Sequence, residues 1–231
     1  MLVFCHLVAG AACGLLGART EAARPLLAAG MIGAILPDLI DKPIGHLLLA
    51  GTLDNGRIVS HSLGFFLVVL VAGTLLLRRR HPLLGPMLAL GVLSHQLLDA
   101  MWRDPEGWLY PLLGPFVPGR YPDYFLHGLL AELSSPAEWL FGVTILTLLV
   151  AAYRPAPIPS ALRRSVGRLL PFLAVLVGVL GLLSLVGAAL GLPNAFTHLS
   201  GPGDNALLGL AAIGGSVAIL RGHPDELAPG E

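Results

Sequence analysis

Apolar residues in this chain come in long runs, most of them bounded by prolines, glycines or arginines. A hydrocarbon layer of ~30 Å asks for roughly 17 or more such residues per spanning helix. The runs at about 2–18, 25–40, 62–77, 83–101, 136–153, 169–191 and 206–220 therefore read as helices. The expectation is an all-α, polytopic transmembrane bundle of about seven helices. Pro37 lacks an amide donor and disfavours helix at Leu36, which predicts that the second helix breaks near Pro37. Such breaks are tolerated at membrane depth where the freed backbone lines a polar cavity.

Composition agrees with a membrane setting. The 231 residues are 55% hydrophobic and 12% charged, with a mean hydropathy of +0.79, far from the balance of a soluble domain. The formal net charge is zero, so no basic face for nucleic acid is indicated. Cys5 and Cys13 lie on one predicted helix, about 12 Å apart at ~1.5 Å per residue, and cannot bridge each other. Residues 1–18 lack a basic leader and carry His6 within the apolar run, so they read as a retained helix rather than a cleaved signal.

Basic residues assign an orientation. Arg19, Arg24, Arg78, Arg79, Arg80, Arg154, Arg163, Arg164, Arg168 and Arg221 fall in spacers on one side, and Lys42, Arg57, Arg103 and Arg120 on the other. The positive-inside rule then expects a multi-pass inner-membrane protein with its amino terminus outside and its carboxyl terminus in the cytoplasm. Residues 1–153 read as a membrane-embedded core with an outer loop at 103–135, and residues 154–231 as further transmembrane helices with a short cytoplasmic tail. Trp102, Trp108, Tyr110, Tyr121, Tyr124 and Trp139 in or beside that loop suit an interfacial aromatic belt, or a lid over a site.

The same orientation gathers the ionisable residues of the apolar runs. His6, Asp38, Asp41, His61, His95 and Asp99 all fall at outer helix ends. His95 and Asp99 are spaced i, i+4 and share one helical face, as Asp38 and Asp41 do at i, i+3 if that segment stays helical. Three imidazoles with three carboxylates make a metal-ligand set suited to Zn2+, as one or two ions, with Mn2+ or Fe2+ as alternatives. Capping of helices or loop ends explains any one of these residues singly. Three clustered carboxylates repel one another without a cation, and intramembrane charges are costly. Arg57, four residues before His61, reads as a loop arginine or as a holder of phosphate through its planar fork. Glu132 and Glu138 read as a base or further ligand, and Glu138 equally as a first-turn acid favoured by the helix dipole. His46, His127 and His198 share the outer side without paired spacing, whereas His81 and His223 sit among the inner arginines.

An early His6 in a short apolar helix, LPDLID, a GR followed by HS, then HQLLD and a loop bearing proline and tryptophan together resemble the membrane-bound metal-dependent hydrolases of the LexA-binding, inner-membrane-associated hydrolase family. The resemblance covers roughly residues 1 to 125. It implies a helical membrane protein with a metal site formed from His6, Asp38, Asp41, His61, His95 and Asp99. Through the family's distant similarity to zinc-dependent phospholipase C and single-strand nucleases, it also implies phosphoester hydrolysis. The expected function is hydrolysis of a lipid or lipid-linked phosphoester by metal-activated water at the non-cytoplasmic face. In this scheme Arg57 stabilises phosphoryl charge, and an unligated carboxylate serves as base. Two other classes use the same cluster differently: a cation or proton transporter, and a membrane scaffold locked by a structural metal.

Overall fold

The computed structural model describes residues 3–18, 23–119, 123–153, 159–197, 199 and 201–222. Arg19, Arg120, Tyr121, Arg154, His198, His223 and the expected cytoplasmic tail lie outside the described residues. Every regular element described is helical: α1 (Val3–Gly17), α2 (Ala23–Pro43), α3 (Leu63–Leu77), α4 (Leu84–Leu98), α5 (Pro105–Trp108), α6 (Tyr124–Ser134), α7 (Pro136–Tyr153), α8 (Ser160–Leu190) and α9 (Pro202–Arg221).

Nine α-helices among the described residues replace the expected seven, and both additions fall in the outer loop. α5 is a single turn with Pro105 at its start, and the Asp104 carboxylate accepts from the Gly107 amide at 3.2 Å. That pairing satisfies an amide the first turn leaves open. α6 has 11 residues, none of them buried, so no long apolar run announced it. Among the described residues, four helices have the length and apolarity to cross a membrane: Ala23–Leu48, Pro136–Tyr153, Ser160–Leu190 and Pro202–Arg221. α1, α3 and α4 have 15 residues each and span only about 22 Å at ~1.5 Å per residue.

The expected break near Pro37 does not occur. α2 runs through it to Pro43 and then relaxes into one π-turn, Ile44–Leu48. A proline inside a helix loses one hydrogen bond and crowds the carbonyl four residues back. Here that residue is Gly33, wedged against the backbone of Leu88 and Gly91 in α4. On its other flank α2 meets α1, where Gly30 touches the Gly10 carbonyl. Small residues let these backbones approach closely, and packing from both sides keeps α2 helical through the proline. The Pro37 carbonyl also accepts from Ser60 Oγ at 2.9 Å.

α8 and α9 share one core with the amino-terminal helices. Val8, Leu27, Phe141, Leu148, Val177, Leu208 and Ile219 belong to a single buried cluster drawn from α1, α2, α7, α8 and α9. The element order places the start of α1, the end of α2, the start of α3, the end of α4, and the starts of α7 and α9 at one end of the bundle.

Candidate metal centre

Asp41 organises the segment that delivers His61. Fully buried near the end of α2, its carboxylate accepts from the backbone amides of Ile58 (2.9 Å), Ser60 (3.0 Å) and His61 (3.1 Å). These bonds bend residues 58–61 into a short 3-10 turn, Val59–His61, before Ser62 caps α3 through the Phe65 amide at 3.1 Å. Asp41 Oδ2 also accepts from His61 Nδ1 at 2.8 Å. Its Oδ1 accepts from the Ser60 amide as well, at 3.1 Å, so both Asp41 oxygens are taken by donors, which corrects its expected place among the ligands: it stands behind His61 and orients it.

His95 is oriented in the same way from α4. Its Nδ1 donates to the Ala34 carbonyl of α2 at 2.7 Å, a bond made available by the close α2–α4 contact. With a proton on Nδ1 of each ring, the Nε2 atoms of His61 and His95 face each other at 3.1 Å. Two lone pairs opposed at this distance require a shared positive charge, either a proton or a metal ion. Burial alone would lower the His61 pKa, but hydrogen bonds to Asp38, Asp41 and Asp99 outweigh it and raise it to about 10.

Two carboxylates complete the group. Asp38 Oδ1 lies 3.5 Å from both Nε2 atoms, and Asp99 Oδ2 lies 3.5 Å from that of His61 and 3.8 Å from that of His95. The four ligand atoms of Asp38, His61, His95 and Asp99 lie within 4.8 Å of one another. A tetrahedral site with bonds of ~2.0–2.2 Å has edges of about 3.3–3.6 Å, and the three separations of 3.5 Å match such an edge. Asp38 Oδ1 and Asp99 Oδ2 are buried and accept no well-aligned hydrogen bond among the described residues, although Asp99 Oδ2 has the Arg57 guanidinium 3.2 Å away. Buried acceptors without a full set of donors are costly, and a cation between them would offset that cost.

The neighbouring groups fall into two sets. His6, from the first turns of α1, places Nε2 3.3 Å from Asp99 Oδ1 and packs its ring on His95 with centroids 4.3 Å apart. Arg57 Nε stands 3.2 Å from Asp99 Oδ2, and Lys42 pairs with Asp38 Oδ2. Lys42 did not figure among the sequence candidates, although its i, i+4 spacing from Asp38 was visible. Gln96 was also missed. Fully buried, it donates to the Ser62 carbonyl (2.8 Å) and accepts from Trp108 Nε1 (3.1 Å), bracing the turn that carries His61.

Other candidates stand apart. Glu138 accepts from the amides of Phe4 (2.8 Å) and Cys5 (3.1 Å), and Glu132 from that of Val3 (3.3 Å). Both carboxylates cap the first turn of α1, so Glu138 is engaged in holding the helix that bears His6, a correction to its expected role as base. His46 bonds Asp54 at 2.8 Å and stacks on Tyr124, and His127 bonds its own turn at Asp123.

Fold and site together define a polytopic helical membrane protein with a His/Asp cluster at one end of its bundle. The chain belongs to the YdjM inner membrane protein family, whose family model matches residues 1–180. No curated protein and no solved structure matches the chain.

Proposed function

We propose that this membrane protein is a metal-dependent hydrolase acting on a phosphoester in a lipid or lipid-linked substrate. The observation that carries the reading is the convergence of two Nε2 atoms and two buried carboxylate oxygens within 4.8 Å of one another. Asp38, His61, His95 and Asp99 are the residues that would hold the ion. Their two nitrogens and two oxygens suit Zn2+ first, with Mn2+ or Fe2+ as alternatives.

A divalent ion in such a site supplies Lewis-acid charge and lowers the pKa of water. The chain's own residues do the rest. Arg57 approaches Asp99 through Nε, and the terminal nitrogens of a guanidinium paired in this way remain for phosphoryl oxygens. His6 and Asp99 stand 3.3 Å apart on the wall of one cavity and are placed to hold and pass a proton between the cluster and a leaving group. Packing of α1, α2 and α4 around the cluster excludes bulk water from its inner side.

The elements also support an orientation. Arg24, Arg78, Arg79, Arg80 and Arg221 stand at helix ends opposite the cluster, so the positive-inside rule puts the site on the non-cytoplasmic side, with the amino terminus outside and the carboxyl terminus in the cytoplasm. A transport path would need polar groups continuing toward the arginine end. Thr144 and Thr147 instead donate to carbonyls of their own helix, each at 2.7 Å. This favours a closed, one-sided site over a transporter.

The test is metal analysis and hydrolysis of phosphomonoesters and phosphodiesters by purified protein. About one zinc per chain is expected, with activity lost in chelator and restored by zinc. Activity indifferent to chelator, or failure to retain any divalent ion, rejects the reading.

A further inference from the structure

A cavity of about 630 Å³ abuts the cluster, within the range of small-molecule sites. His6, Asp99 and Arg57 line its polar end, and Leu98, Leu199 and Leu208 line it elsewhere. Arg103, ion-paired to Asp204 at 2.9 Å, stands at its α9 side. Asp104, Ser134, Ser135 and Thr197 add polar groups to the lining, and Leu98, Leu199 and Leu208 supply its large aliphatic side chains.

Helix α6 forms another wall, through Ala131 and Ser134. Its amphipathicity is opposite to that of a helix in a soluble protein. Phe125, Leu126, Leu129, Leu130 and Leu133 are all exposed, between 46% and 56%. Its less exposed positions, Tyr124, Gly128 and Glu132, recur every four residues on the other face. A helix with leucines outward and polar or small residues inward is suited to lie at the edge of the hydrocarbon layer. Trp139 holds its end, donating Nε1–H to the Leu133 carbonyl at 3.0 Å.

We propose that this cavity receives the apolar chain of the substrate, so that the ligand is a long-chain phosphoester with its phosphoryl group at Arg57 and its chain between α4, α6 and α9. The reaction rests on the hydrolase reading above; the binding does not. Asp204 and Leu208, both on α9, lie beyond the residues matched by the family.

The test uses the full chain in phosphatidylcholine nanodiscs, loaded with zinc. Binding of radiolabelled hexadecyl phosphate is measured by competition and corrected against empty discs. Turnover of hexadecyl phosphate and p-nitrophenyl phosphate is followed in parallel. Leu208→Trp fills the apolar stretch away from the cluster, and Leu208→Met conserves its volume. We expect Leu208→Trp to weaken hexadecyl phosphate binding by about tenfold or more, while zinc content and p-nitrophenyl phosphate turnover stay at the parent's level. Leu208→Met is expected to retain binding, and melting temperatures of both variants separate filling from misfolding, because Leu208 also packs in the buried core. Binding without turnover of either ester rejects the hydrolase reading and leaves the chamber standing. The chamber is overturned if the parent shows no saturable binding of hexadecyl phosphate, or if Leu208→Trp binds it as the parent does. It is also overturned if both esters are affected equally.

Discussion

His61 and His95 meet Nε2 to Nε2 at 3.1 Å, each ring held from behind by an acceptor on its Nδ1: Asp41 for one, the Ala34 carbonyl for the other. Neither ring can turn away without giving up a buried hydrogen bond. The pair is therefore preorganised for a cation, and the groups behind it matter nearly as much as those facing it.

Asp41→Asn tests the second layer. The amide keeps the shape but presents one oxygen and an NH2 where the carboxylate now meets four donors. Zinc affinity is expected to fall by about 10–100-fold, read by competition with a chromophoric chelator. Unchanged affinity would show that Asp41 holds only the backbone turn.

Lys42→Met tests the charge balance around Asp38. Without zinc, the variant leaves a mostly buried carboxylate without its ammonium, and a loss of about 1–3 kcal/mol is expected. A metal ion bound to Asp38 supplies positive charge in its place, so the gap between parent and variant should shrink in thermal melts run with zinc. A gap that zinc does not alter would separate Lys42 from the metal centre.

Gly33→Ala tests how far packing sets the site. An added Cβ would strike the Leu88 carbonyl and push α2 from α4. The expected cost is about 1–3 kcal/mol of stability, together with weaker zinc binding, because Asp38 and His95 ride on those two helices. Stability loss with undiminished zinc affinity would mean that the cluster tolerates the shift.

Glu138→Gln separates capping from catalysis. The amide keeps one of the two oxygens that accept from Phe4 and Cys5, and loss of the other is expected to cost about 0.5–2 kcal/mol, seen in melting, while chelator-sensitive hydrolysis stays near the parent rate. A collapse of turnover with melting unchanged would return Glu138 to the role of base.

The sequence carried the bundle well. Its seven apolar runs coincide with α1, α2, α3, α4, α7, α8 and α9 to within a few residues, except that α8 starts earlier, at Ser160. Hydrocarbon thickness and apolar run length are one-dimensional quantities, so they could be counted along the chain. α6 escaped because its 11 residues hold no long apolar run. Pro37 misled because the propensity of a single residue says nothing about the two helices that grip its neighbours.

By itself, the sequence determined that the chain is membrane-embedded and all-α, and that six acids and imidazoles gather at one end of it. Spacing and helix direction are enough for that. Only the tertiary structure decided which of them face one another. Asp38, His61, His95 and Asp99 converge, Asp41 turns to the backbone behind them, and Glu138 closes the end of α1. The reason is that a carboxylate serves equally well as metal ligand, turn-former or helix cap. The choice among these depends on which donors the fold brings within about 3 Å, a distance that chain spacing cannot express.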